Sequence, residues 1–295
     1  MDYEIVYNEN SVLGEGPVWD EKTQRLFWID GLGQKVHIFD PVSAANISFD
    51  TPQMVGSLVL TENDHVVVLA LQDGIYTLDT NTGAIKCCLT LEADLPGNRF
   101  NDGKCDCMGR FWFGSMNTDA NSGDAGCAAT GSVYRLAAGG KVTKVFSGVT
   151  ISNGMAWDMN KRRFYYIDSP TKTVSAFDFD SENGALANRR VVVDLTKKEN
   201  ELPDGMTIDS EGMLWVAIWG GYRVCRFDPE NGKCLAKIRF PVKNITSCEF
   251  GGARLDELYV TSSSLDTSET EKEYAGALFR VNPGVSGTYT NRFIL

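Results

Sequence analysis

The chain has 295 residues but only two histidines, His37 and His65. Neither lies in the repeated motifs described below, so a histidine-based triad or an imidazole-rich metal site is not expected. Positive charge is also short: 28 Lys and Arg stand against 39 Asp and Glu, a formal charge of −11. That balance argues against nucleic acid and against anionic membrane surfaces as partners. No apolar run approaches the ~18 residues needed to span a bilayer. The opening MDYEIVYNEN has neither a basic region nor an apolar segment, so no signal peptide is expected. No helical periodicity of useful length is found, and no glycine-rich phosphate loop opens a helix. Gly31-Leu32-Gly33 is an isolated fragment. A parallel α/β fold is therefore not expected. The eight cysteines lack a metal or redox spacing: Cys87 and Cys88 are adjacent, and Cys105 and Cys107 flank one residue. Without a secretory signal they read as reduced thiols in a cytoplasmic protein, where the sequons at Asn46 and Asn244 carry little meaning.

What the chain does have is repetition. Ser152 to Asp168, SNGMAWDMNKRRFYYID, reads as strand, turn and strand: apolar and aromatic runs bounded by polar turn residues. The same pattern recurs from Leu13 to Asp30, from Phe100 to Ser115 and from Pro203 to Trp219. In all four an oxygen-bearing residue stands five positions before an Asp: Glu15 before Asp20, Asn101 before Asp106, Asn153 before Asp158, Asp204 before Asp209. Two weaker units start near Ser57 and Ser247, so six starts fall between 42 and 52 residues apart. Each unit has a third strand, such as Lys35 to Phe39 or Ala277 to Val281. Several then turn through Asp-x-x-x-Gly (Asp79 to Gly83, Asp180 to Gly184, Asp228 to Gly232) into a fourth.

Four antiparallel strands per repeat of this length is the propeller pattern. The expectation is one all-β domain over 1–295, a six-bladed propeller. The last unit has room for about three strands, so the alternating segment Tyr3 to Tyr7 is expected to supply its outer strand and close the ring.

In a propeller the first strand of each blade lines the central channel, so its first residues converge at one mouth. Glu15, Asn153 and Asp204 would bring two carboxylates and an amide oxygen there. That set suits a hard divalent cation, Ca²⁺ first, with Mg²⁺, Mn²⁺ or Zn²⁺ as alternatives. The competing reading is that they only bond the backbone at strand starts. Arg99 is placed to donate paired hydrogen bonds to a polyol or carboxylate ligand, or else to bridge Asp102 or another acid. Asp102 and Lys104, in the same strand, are candidates to orient the ligands. The small, polar loop Ser115 to Thr130 should emerge at the same mouth, either as a lid offering Asp119 or Asn117 or as a plain surface loop. The second Asp of each repeat (Asp20, Asp158, Asp209) reads as a turn cap at the opposite end.

The segments LGEGPVWD, RFNDGKCD, SNGMAWD and PDGMTID together make the chain resemble the senescence marker protein / gluconolactonase / luciferin-regenerating enzyme family, over nearly its whole length. The resemblance implies a six-bladed propeller with one divalent cation in the channel. It implies metal ligands at Glu15, Asn153 and Asp204, sugar-lactone contacts at Arg99 and Asn101, and an acidic lid residue at Asp119. This chain departs from the vertebrate pattern there, with Asp in place of Glu. The implied reaction is hydrolysis of an aldonolactone, with a small-molecule sugar lactone as the partner. Asp204 is the candidate base, with a metal-bound hydroxide as its rival, and a monomer or weak homo-oligomer is expected. Two other readings stay open: a phosphotriester hydrolase using the same cation, and a non-catalytic binding propeller in which the cation is structural.

Overall fold

The computed structural model describes residues 3–119 and 128–295. Among these residues twenty-four strands, β1 to β24 in chain order, form six separate four-stranded antiparallel sheets. Five blades are built from consecutive strands: β2–β5 (14–50), β6–β9 (55–90), β10–β13 (98–149), β14–β17 (152–194) and β18–β21 (202–239). The sixth has the order β1-β24-β23-β22, so the N-terminal strand Glu4–Asn8 is its outer strand. The ring is closed as the sequence predicts, and closure protects an edge that would otherwise be open. Among the described residues no helix is long and apolar enough to cross a membrane.

The first strands, β2 (Gly14–Asp20), β6 (Val55–Leu60), β10 (Asn98–Cys105), β14 (Ser152–Asp158), β18 (Leu202–Ile208) and β22 (Ile245–Gly251), touch one another in sequence around a ring. They are the channel wall. Apolar side chains leave the sheets on both faces and meet those of the neighbouring blade, which is why strands such as β7 (Val66–Leu71) and β19 (Leu214–Trp219) read as continuous apolar runs. Each of six apolar clusters bridges two adjacent blades. Trp112, Val133, Trp157 and Phe164 join the third to the fourth, and Trp19, Trp28, Tyr259 and Leu278 join the first to the sixth.

The second Asp of the repeat caps the turn between first and second strands, as expected. Asp106 and Asp209 accept from backbone amides of the turn and also from the indole N–H of Trp112 (2.7 Å) and Trp215 (2.8 Å). This far end is covered by the tail after β24 (Ala277–Val281). Thr290 Oγ1 donates to Trp19 O (2.8 Å), Arg292 pairs with Asp20, and the Phe293 amide donates to Leu60 O (2.8 Å). The tail crosses the turns of the first, second and third blades and closes the channel there, leaving the other end as the mouth.

Candidate metal centre

Every first strand is irregular at the same place. The register with the second strand shifts between Glu15 and Val18, Val55 and Ser57, Phe100 and Gly103, Asn153 and Met155, Pro203 and Met206, and Ile245 and Ser247. A bulge leaves residues unpaired and re-aims their side chains, and these bulges fall on the residues singled out by the sequence. The glycine that follows is part of the device. A Cβ at Gly154 would stand 2.7 Å from Ile167 Cδ1 and 2.8 Å from Asp204 O. At Gly205 it would stand 2.1 Å from Ser247 Oγ. Only glycine lets neighbouring first strands approach so closely. Asn-Gly and Asp-Gly here are strand bulges inside the wall rather than turn residues at its start.

The structure brings Glu15, Asn153, Asp204, Arg99 and Asp102 together; Asn153, Asp204 and Arg99 are buried. Burial, then the Asp204 and Asp102 charges, push the Glu15 carboxyl well above its usual value. Burial, then Asp102, do the same to Asp204, against relief from Asn153 and Arg99. Burial carries Asp102 up to about 6 although Lys104 and the Gly103 amide oppose it. Burial lowers the Arg99 guanidinium to about 10 against the pull of Glu15 and Asp204. Carboxylates gathered in a low-dielectric space disfavour one another's charge, and a bound cation reverses that penalty.

Two buried polar atoms of these five residues lack a partner. Asn153 donates from Nδ2 to Ser169 Oγ at 3.0 Å, while its Oδ1 has no hydrogen bond. Ser169 in turn donates to Pro203 O at 2.7 Å, so it locks the Asn153 amide and ties the fourth blade to the fifth. Sequence reasoning missed Ser169, which lies sixteen residues from Asn153 outside any repeat position. Arg99 Nε is the other unpartnered atom. Its Nη1 donates to Phe100 O (3.0 Å) and Asn101 Oδ1 (2.7 Å), not to Asp102. Asn101 Nδ2 donates to Ser152 O (2.7 Å), bridging the third blade to the fourth.

Among the described residues no group of three His, Cys, Asp or Glu side chains is arranged to hold a metal. The candidate set instead has two carboxylates and one carboxamide. An amide oxygen buried without a donor beside two acids whose charge is disfavoured is the donor chemistry of a hard-cation site, so the residues fit the expected group. Asp119 is exposed two residues after β11 (Phe111–Asn117), and its amide donates to Asn117 Oδ1 (2.9 Å). Asn117 lies opposite Asn98, so the chain after β11 leaves at the mouth as expected. Half of the Ser115 to Thr130 lid, residues 120–127, lies outside the described residues. His37 is buried in β4 (Lys35–Asp40) and His65 lies in the turn after β6, both away from the site.

A six-bladed propeller with an acidic, amide-bearing centre on its bulged inner strands defines a class of channel-site propellers. Within it, the chain matches the family model "SMP-30/Gluconolactonase/LRE-like region" over residues 13–264 and belongs to that family. It is 38% identical to regucalcin of Danio rerio over 296 residues, covering 96% of this chain and 95% of the relative. Among solved structures it is similar to a luciferin-regenerating enzyme, with TM-score 0.88, 33% identity and coverage of 97% and 96% of the two chains. It is also similar to the calcium-binding protein regucalcin of Agrobacterium tumefaciens, with TM-score 0.91, 28% identity and coverage of 99% and 97%.

Proposed function

We propose that the protein is a divalent-cation-dependent hydrolase that opens a sugar aldonolactone to the aldonic acid. The carrying observation is the unpartnered, buried Asn153 Oδ1 beside the acids Glu15 and Asp204. These three residues would hold the cation: Ca²⁺ first, since a solved relative is named for binding it, with Mg²⁺, Mn²⁺ and Zn²⁺ as alternatives. When bound, the cation would polarise the lactone carbonyl and stabilise negative charge on its oxygen.

The chain's own residues do the rest. Asp204 takes the proton as a water oxygen attacks the carbonyl carbon, and returns it to the ring oxygen as the ester C–O bond breaks. Arg99 and Asn101 meet the sugar hydroxyls. Arg99 has Nε free for a ligand, and Asn101 is held between Arg99 and Ser152 O, so both are fixed before substrate arrives. Asp119 adds an acceptor from the mouth. The tail across the far end restricts entry to this mouth. The seven described cysteines are all free, which suits a cytoplasmic protein, and we read it as a monomer or weak homo-oligomer.

The test is proton release from glucono-, galactono-, xylono- and arabinono-lactone by chelated protein, then with each cation restored. Cation-dependent acceleration that is lost in Asp204→Ala supports the reading. No acceleration with any cation removes it, and a phosphotriester substrate or a purely structural cation site takes its place.

A further inference from the structure

Apart from Asp20 and Asp158 at the far turns, the six inner strands carry only six charged residues: Glu15, Arg99, Asp102, Lys104, Asp204 and Glu249. Four carboxylates against two cations leave two negative charges, which a single divalent cation neutralises. The sixth member of this set is Glu249, in a weak repeat unit where no motif marks it.

Lys104 is two residues deeper along β10 than Asp102. Its Nζ donates to Glu249 Oε2 at 2.8 Å and to Met206 O at 3.2 Å. Glu249 belongs to the sixth blade, which faces the third across the ring, so the ion pair spans the channel. Met206 belongs to the fifth blade and ends the bulge that carries Asp204. Glu249 is itself fixed: its Oε1 accepts from Thr207 Oγ1 (2.7 Å) and from the Phe250 amide (2.9 Å). The pair also lines a cavity of about 60 Å³, whose other side is the tail from Thr288 to Asn291. It therefore lies between the acidic centre and the closed end.

We propose that the Lys104–Glu249 pair is the floor of the metal centre, a positioning pair in which Glu249 neutralises an ammonium that would otherwise face the cation. This rests on the metal-site reading above. Within a low-dielectric channel an uncompensated ammonium near the site opposes a divalent cation strongly. With Glu249 intact, Lys104 braces the Asp204 bulge without that repulsion.

The experiment is calorimetric titration of Ca²⁺ into chelator-stripped full-length protein, with thermal melts confirming folding. Glu249→Gln is expected to bind Ca²⁺ about tenfold or more weakly, because the ammonium is unmasked. Lys104→Met, which leaves the centre more negative, is expected to bind at least as tightly as the parent. The double variant is expected to return to within about threefold of the parent. A pair that serves only as mechanical glue would weaken binding in all three. A parent-like Glu249→Gln, a double variant as weak as Glu249→Gln, or a Lys104→Met that loses affinity overturns the proposal; the last needs no folded Glu249 variant. If the parent itself binds no divalent cation, the metal-site reading fails and this one falls with it. If the parent binds and the variants do not differ, only the floor is refuted.

Discussion

Gly154→Ala adds one methyl to the channel wall and tests the role of the bulge glycine. The new Cβ would sit 2.7 Å from Ile167 Cδ1, 2.8 Å from Met206 Cβ and 2.8 Å from Asp204 O. Carbon atoms pack at about 3.5–4.0 Å, so the two carbon contacts are short by roughly an ångström. Ile167 can rotate its terminal methyl away. Met206 Cβ and the Asp204 carbonyl are fixed to the β18 backbone, so β14 and β18 must part. Overpacking of this kind costs about 1–3 kcal/mol. For a chain of 295 residues that is a fall in Tm of about 2–5 °C at about 2.1 cal/mol/K per residue. One of the displaced groups is the Asp204 carbonyl, and Asn153 is the residue before Gly154. Cation affinity should therefore fall more than tenfold, out of proportion to the loss in Tm. The assays are thermal melts of chelated protein and Ca²⁺ titration of the same samples. A variant with parent-like Tm and parent-like affinity would refute the claim that glycine is needed for close approach. One that loses Tm but keeps affinity would refute the link between the bulge and the ligands.

Asp204→Asn should make the chelated protein more stable, since it removes one of several buried acids that disfavour one another's charge, while abolishing tight Ca²⁺ binding; denaturant melts with and without Ca²⁺ read both effects. His37 gives a pH dependence. Its Nε2 lies 3.1 Å from Glu9 Oε1 but out of hydrogen-bond alignment, and burial outweighs that carboxylate to lower the imidazole to about 4. The folded state binds its proton less readily than the unfolded chain, so stability is lost as pH falls from about 6.5 towards 4, on the order of 3 kcal/mol. A His37→Gln variant should lose that part of the acid sensitivity in urea titrations at pH 7 and pH 4.5. Phe293→Ala should cost about 3–5 kcal/mol by leaving a cavity between the tail and the second and third blades, where Phe293 is 4% exposed. Urea melts measure this, and a loss under about 1 kcal/mol would show that the tail does not pack as an integral part of the ring.

The repeat was written in local chemistry, so the sequence by itself determined the six blades, their four strands and the closing role of Glu4–Asn8. Alternating runs, Asp-x-x-x-Gly turns and turn-capping Asp residues act within a few positions of one another, and they form the same contacts wherever they recur. Glu15, Asn153 and Asp204 were legible as a set for the same reason, because equivalent positions on equivalent strands must converge when the ring closes. The tertiary structure alone decided what surrounds them. The bulge makes Gly154 and Gly205 points of close approach, which only the neighbouring strand reveals. Arg99 bonds Asn101 rather than Asp102, a choice between local partners that the burial geometry makes. Ser169 reaches Asn153 and Pro203, Lys104 reaches Glu249 and Met206, and the tail reaches Asp20 and Leu60. These partners come from different blades or from opposite ends of the chain. Their pairing obeys no spacing in the sequence, because it is set by closure of the ring and by the need of buried charges and polar groups to find partners across it.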